Sequence, residues 1–188
     1  MIKRYSELNT IKKFYLKHNI DPEEWDFLGS GAFGTAYAVG DDRVLKITNS
    51  ESEFKIAKEI EGKKIPGIVN IYVAEFAGES PLSRRYFILQ EMLEEDSSIE
   101  DLFPQVSILL DTQGLPITYI GHFDMDEYEE EHGEIYPEVK EFFEELSEVI
   151  RVATSIVGDA VDIHSENLGR DKEGNLKAFD LDDKRQNQ

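Results

Sequence analysis

Asp162, Asn167 and Asp180 stand close together near the end of the chain, in the stretch GDAVDIHSENLGRDKEGNLKAFDLDD. Their spacing predicts a short loop followed by a β-hairpin. Two carboxylates and a carboxamide gathered this way are hard oxygen donors, suited to holding magnesium against the phosphates of a nucleotide. Carboxylates left uncompensated would repel one another and raise each other's pKa, so a bound cation makes sense of the cluster. Acidic residues are also common in hairpin turns, so the stretch needs a counterpart elsewhere: a cradle for phosphate.

The N-terminal half offers one. WDFLGSGAFGTAYAV, residues 25–39, reads as a strand, a tight glycine turn and a second strand, and Gly40-Asp41-Asp42 turns the chain into a third, RVLKIT. Gly29, Gly31 and Gly34 have the G-x-G-x-x-G spacing, with Ser30, Ala32 and Phe33 between them. Missing side chains let backbone N–H groups approach phosphate oxygens. Glycines also simply make hairpins, so context must decide. In a dinucleotide-binding fold they would lie between a strand and a helix, whereas Thr35–Val39 continue here as a strand. Lys46 alternates with Leu45 and Ile47 and so points to the opposite face, from which it could reach phosphate; an ordinary solvent-facing strand lysine fits equally well.

Taken in order, GSGAFGTAYAV and RVLKI resemble the glycine-rich loop and lysine strand of the protein-kinase superfamily, and DIHSEN resembles its catalytic loop, an aspartate with an asparagine five residues on. The resemblance implies an α+β, bilobal protein-kinase-like fold with a five-stranded antiparallel N-lobe sheet plus one helix and a reduced helical C-lobe. It implies ATP and Mg²⁺ as cofactors, with Gly29, Ser30, Gly31, Ala32, Phe33, Gly34 and Lys46 around the phosphates. Gln90 would be the gatekeeper, and the backbone of Glu91 and Leu93 would hydrogen-bond adenine. Asp162 would orient or deprotonate the attacking hydroxyl, while Asn167 and Asp180 would bind the metal. A helix glutamate would fix Lys46 for catalysis; Glu59 is the first choice and Glu53 the second.

The elements around these residues follow from periodicity. Tyr5, Leu8, Ile11 and Tyr15 predict an amphipathic helix over residues 3–18, stopped by Asn19 and Asp21-Pro22. Residues 1–20 are thus expected to form a helix packed on the fold, 21–93 the N-lobe and 94–188 the truncated C-lobe. Asn49-Ser50 caps a helix over residues 51–64 with Phe54, Ile56, Ala57 and Ile60 inward. IVNIYVAEFA and YFILQEM are the remaining strands. Beyond them, residues 94–112 predict a partly helical segment interrupted near Pro104, LPITYI an extended piece, and FDMDEYEEEHGEIY a solvated acidic loop. Val139, Phe142, Phe143, Leu146, Val149, Ile150 and Ala153 predict a strong amphipathic helix from Pro137.

Composition narrows the classes. The chain has 188 residues, 40% of them apolar, with 40 acidic against 20 basic residues and a formal net charge of −20. That is enough for a real core. No basic stripe is present for nucleic acid, and an acidic surface would favour a protein substrate or host protein with a basic surface. There is no cysteine, and hence no disulfide or thiolate chemistry. No secretion signal or membrane-spanning run is apparent, so a cytoplasmic location is expected.

Departures from the family shape the functional expectation. Ala160-Val161 replaces the His-Arg before the catalytic aspartate, and the DFG motif becomes Asp180-Leu181-Asp182. Six residues follow Asp182, so neither an activation segment nor a helical peptide-docking subdomain is expected. The chain in this respect is similar to minimal bacterial effector kinases and short bacteriophage kinase-like proteins, which implies a minimal protein serine/threonine kinase. His164 resembles the D-x-H-x-x-N loop of aminoglycoside and choline phosphotransferases, which implies instead a small-molecule hydroxyl kinase. A pseudokinase module that captures a partner protein is the third expectation.

Overall fold

The computed structural model describes residues 12–20, 25–79, 84–158 and 161–181. Tyr5, Leu8 and Ile11 of the predicted first helix, and Asp21-Pro22, lie outside these residues. The chain is α+β and divides into two compact units, Met1–Ile65 with Asn70–Met92, and Pro66–Val69 with Leu93–Gln188. The expected 21–93 block therefore loses Pro66–Val69 and Leu93 to the second unit. Val69 N–H donates to Ala178 O (3.0 Å), Ala178 N–H donates to Gly67 O (2.9 Å), and Ile68 bridges Ala178 in parallel.

In the first unit β1 (Trp25–Ser30), β2 (Gly34–Val39), β3 (Arg43–Thr48), β4 (Ile71–Glu79) and β5 (Arg84–Glu91) form an antiparallel sheet in the order β1-β2-β3-β5-β4. Directly opposed residues share a face. One face therefore carries the row Ala36, Lys46, Ile88 and Ala74, and the other the row Tyr37, Leu45, Leu89 and Val73.

The two faces are covered differently. Residues 12–18 form helix α1 on the second face, where Phe14, Tyr15 and Ile20 join Val39, Leu45, Phe87 and Leu89 in the core. Burying a Leu45 or Phe87 side chain contributes about 1.5–3 kcal/mol. Phe14 lies 4.7 Å from Phe87 between ring centroids, and Lys17 and His18 both meet the carboxylate of Glu75 on β4. Burial alone would raise the Glu75 pKa, but these two partners hold it below the usual range. Helix α2 (Glu51–Ile60) packs on the Lys46 face, with Phe54 stacked on Tyr86 of β5 at 4.3 Å.

The second unit is helical, with α3 (Ser97–Thr112), α4 (Met125–His132), α5 (Pro137–Val157) and a hairpin of β6 (Leu168–Arg170) and β7 (Leu176–Ala178). Helix α5 buries the predicted stripe from Val139 to Ala153 and begins at Pro137. Three local expectations are corrected. Helix α3 continues through Pro104 because Ile99 on one side of the proline and Val106, Leu109 and Leu110 on the other are all buried. That packing offsets the roughly 3 kcal/mol cost of an interior proline. Residues Ile117–His122 form a 3₁₀ segment rather than an extended piece. The acidic loop contains a helix, α4, which buries no residue and is held by its ends: Asp124 accepts from Glu127 N–H (2.9 Å), and the chain turns away at Gly133, φ 95°. Among the described residues no helix is long and apolar enough to cross a membrane.

Candidate functional site

The glycine loop grows directly out of the sheet. Gly31 N–H donates to Gly34 O (2.9 Å), closing the turn between β1 and β2. Its glycines are not equivalent. A side chain at Gly34 would begin 2.6 Å from Ile47 O and 3.0 Å from Thr48 Cα, so strand pairing itself demands glycine there. At Gly29 and Gly31 a Cβ would meet nothing within 4 Å, and neither has a positive φ. Neither packing nor backbone conformation requires glycine at these two positions. Bare backbone beside open space is what an approaching anion uses. Phe33, at the tip, is exposed.

Lys46 projects from β3 between Ala36 and Ile88, and its Nζ lies 2.6 Å from Glu53 Oε1. Both ends are withdrawn from water, at 15% and 7% side-chain exposure. The expected partner Glu59 is exposed instead. Helical geometry explains the correction: Glu53, Ala57 and Ile60 are spaced four and three apart on the buried stripe, and Glu59 falls off it. Glu53 also lies in the first turn, immediately after the strand–helix corner, where the helix is nearest Lys46. Chain separation favoured Glu59; burial periodicity would have selected Glu53.

At the far end of β5, Glu91 N–H donates to Asn70 O (2.9 Å), and its carboxylate accepts from the Asn70 side chain (2.7 Å). The Glu91 amide proton is therefore engaged within the sheet unit. Gln90, opposite Val44 and Ile71, is buried. Leu93 opens the second unit and packs so closely on β6 that a Cβ at Gly169 would begin 2.8 Å from Leu93 Cβ.

In the second unit, Val161 and Ile163 are buried while Asp162 and His164, alternating with them, are partly exposed. An extended backbone sends alternate side chains to opposite sides, so the two apolar residues anchor the loop and present the two polar ones. Asn167 is buried and fastened three ways. Its N–H donates to His164 O (3.0 Å), its Nδ2 donates to Asp162 O (3.1 Å), and its own carbonyl accepts from Phe179 N–H (2.9 Å). Asp162, Asn167 and the start of Asp180 are thereby linked through a few bonds. Asp180 follows β7 with φ 55°, a left-handed backbone rarely adopted by a residue other than glycine. Such strain, costing about 1–3 kcal/mol, concentrates where a side chain must be aimed. Asp182 and Asp159-Ala160 lie outside the described residues.

The donor chemistry fits magnesium. With Nδ2 of Asn167 donating to Asp162 O, its Oδ1 is the atom that could face a cation, and the Asp180 carboxylate would be the second hard donor. No group of three or more His, Asp or Glu side chains suited to a metal occurs among the described residues. A magnesium ion on a nucleotide requires only one or two protein carboxylates, with phosphate and water completing its shell.

Sequence reasoning missed the residues that brace this region. Arg170 Nε donates to Asp96 (2.6 Å), its two terminal nitrogens reach Glu145 (3.1 and 2.8 Å), and one also reaches Gly174 O (2.8 Å). The Glu145 bonds lead in raising the Arg170 pKa despite partial burial, and Asp96 adds to them. Thr48, buried beneath the glycine loop, also carried no sequence signal beyond its polarity in an apolar strand. No family model and no curated protein matches the chain.

Proposed function

We propose that the chain is an ATP- and magnesium-dependent phosphotransferase of bilobal protein-kinase-like fold, acting on a serine or threonine hydroxyl of a protein. The observation that carries this reading is the buried Lys46–Glu53 pair beside a glycine loop two of whose glycines the chain itself does not need. The sheet unit is assigned the nucleotide, with the row of Ala36, Ala38 and Val44 as an apolar floor for the purine. The second unit is assigned the metal ligands and the acceptor.

In this mechanism backbone N–H groups of the loop and the Lys46 ammonium hold the phosphate oxygens, and Glu53 fixes the direction of that ammonium. Asn167 Oδ1 and Asp180 would hold magnesium, which when bound neutralises charge on the phosphates. Asp162 orients the acceptor hydroxyl and receives its proton as oxygen bonds to the γ-phosphorus. The bond from γ-phosphorus to the bridging oxygen breaks, and ADP leaves. In-line positioning and charge neutralisation carry such a transfer.

A second acceptor class is favoured by His164, whose side chain is 41% exposed, two residues beyond Asp162. This is the position that resembles small-molecule hydroxyl kinases. Incubation with γ-labelled ATP and magnesium, alone and with lysate, tests both. Labelled protein supports the first reading and a labelled metabolite the second. Asp162→Asn should lower transfer by about a hundredfold to ten-thousandfold, the usual share of a general base. No transfer by the wild type, combined with nucleotide-independent capture of one partner by wild type and variant alike, would replace catalysis with a binding module.

A further inference from the structure

Thr48 is the last residue of β3, and its hydroxyl lies between the glycine loop and the start of α2. Oγ1 donates to Phe33 O (3.3 Å) and accepts from Ser50 N–H (3.1 Å), while the neighbouring Asn49 N–H donates to the same Phe33 carbonyl (2.7 Å). Ser50 in turn caps α2, its Oγ accepting from Glu53 N–H (3.1 Å), and Glu53 grips Lys46 at 2.6 Å. Thr48, Ser50 and Glu53 are all buried. A hydroxyl enclosed in this way cannot exchange its partners for water, so losing it leaves the buried Ser50 N–H short of its acceptor.

We propose that Thr48 is a positioning residue, whose hydroxyl couples the glycine loop to the Glu53–Lys46 pair so that the two phosphate-holding groups are set together. The inference rests on the phosphotransferase reading and adds to it. Loop and lysine approach the same phosphates from separate pieces of chain, and each alone could drift. The Thr48 hydroxyl makes displacement of the loop carbonyl and rotation of the first turn of α2 one event. Gly34 enforces the contact by bringing β2 against Thr48 Cα. Thr48 need not touch nucleotide itself.

Thr48→Val keeps the branched shape and removes the hydroxyl, and Thr48→Ser restores it. Amide hydrogen exchange without nucleotide reads the coupling directly. In Thr48→Val the Asn49 and Glu53 amides should exchange faster together, by about tenfold, while the buried Leu89 amide of β5 stays at the wild-type rate. Thr48→Ser should return both to within about twofold. In the phosphotransfer assay Thr48→Val should raise KM for ATP by about tenfold with kcat changed less than threefold, again with rescue by serine.

Exchange that rises equally at Leu89 would reduce Thr48 to a general stability role and overturn the proposal. So would wild-type exchange at Asn49 and Glu53 in Thr48→Val, or an unchanged KM beside an active wild type. If the wild type neither binds nor turns over ATP, the phosphotransferase reading falls, and the positioning role falls with it. Wild-type activity with Thr48→Val indistinguishable from it removes the positioning role alone.

Discussion

Lys46 in the sheet unit and Arg170 in the helical unit both meet carboxylates away from bulk water, yet their surroundings differ. Arg170 spends its planar fork on three pieces of its own unit: Asp96 at the start of α3, Glu145 on α5 and the Gly174 carbonyl in the β6–β7 turn. Its bidentate geometry ties elements together. Lys46 carries a point charge on a flexible stem, held by a helix carboxylate at the edge of a loop with open space around Gly29 and Gly31. The contrast teaches that the type of cation matters: a planar fork can close several pieces of chain at once, whereas a point charge on a flexible stem can be aimed.

The largest expected effect breaks the comparison at its functional end. Lys46→Met should lower phosphotransfer by about a hundredfold to a thousandfold, the scale set by removing a preorganised donor to developing charge, and leaving Glu53 buried without its partner should also lower stability, by about 3–5 kcal/mol. Arg170→Met should act on stability alone. Leaving Asp96 and Glu145 without their partner should cost about 2–3 kcal/mol in a denaturant titration, with kcat near wild type wherever the protein remains folded. If Arg170→Met abolished turnover without loss of stability, the division of labour would be wrong.

A titration sharpens the structural end. Burial alone would raise the Asp171 carboxyl, but bonds from Asn175 and Lys177 lower it to about 2. A folded-state pKa below the unfolded value stabilises the protein above the unfolded value, near 4, and that stability is lost as pH falls towards 2. The loss expected from this residue is about 2 kcal/mol. Asp171→Asn should be less stable at neutral pH and show a shallower acid slope; a slope identical to wild type would contradict the assignment. Smallest of all, Glu59→Gln should change stability by less than about 0.5 kcal/mol and leave turnover intact. Glu53→Gln should lower turnover by about tenfold.

What could be read from the residues depended on how local the cause was. The alternation around Lys46 and the three- and four-residue stripe of α5 declared their elements because a single chain segment contains the whole pattern. The five strands followed from turn residues between apolar runs, whereas the pairing of β3 with β5 joins segments that are not consecutive and carried no local signal. Helix α4 was hidden because its stability comes from its caps and from Glu129, which accepts from Ile135 N–H (2.7 Å) and Lys140 (2.6 Å), rather than from an apolar face. The continuity of helix α3, expected as a partly helical segment, was hidden because burial on both sides of Pro104 outweighs the local penalty. Glu53 and Glu59 are chemically identical in a sequence, and only the stripe shared with Ala57 and Ile60 separates them. Arg170 joins residues 74 and 25 positions away, a distance over which no spacing rule operates.

The most direct test of the central claim is calorimetric titration of ATP into the protein, with and without magnesium, for the wild type and Lys46→Met. The account predicts saturable, magnesium-dependent binding by the wild type and binding weakened by about tenfold or more in the variant. No binding by the wild type, or equal affinity in both proteins, would contradict it.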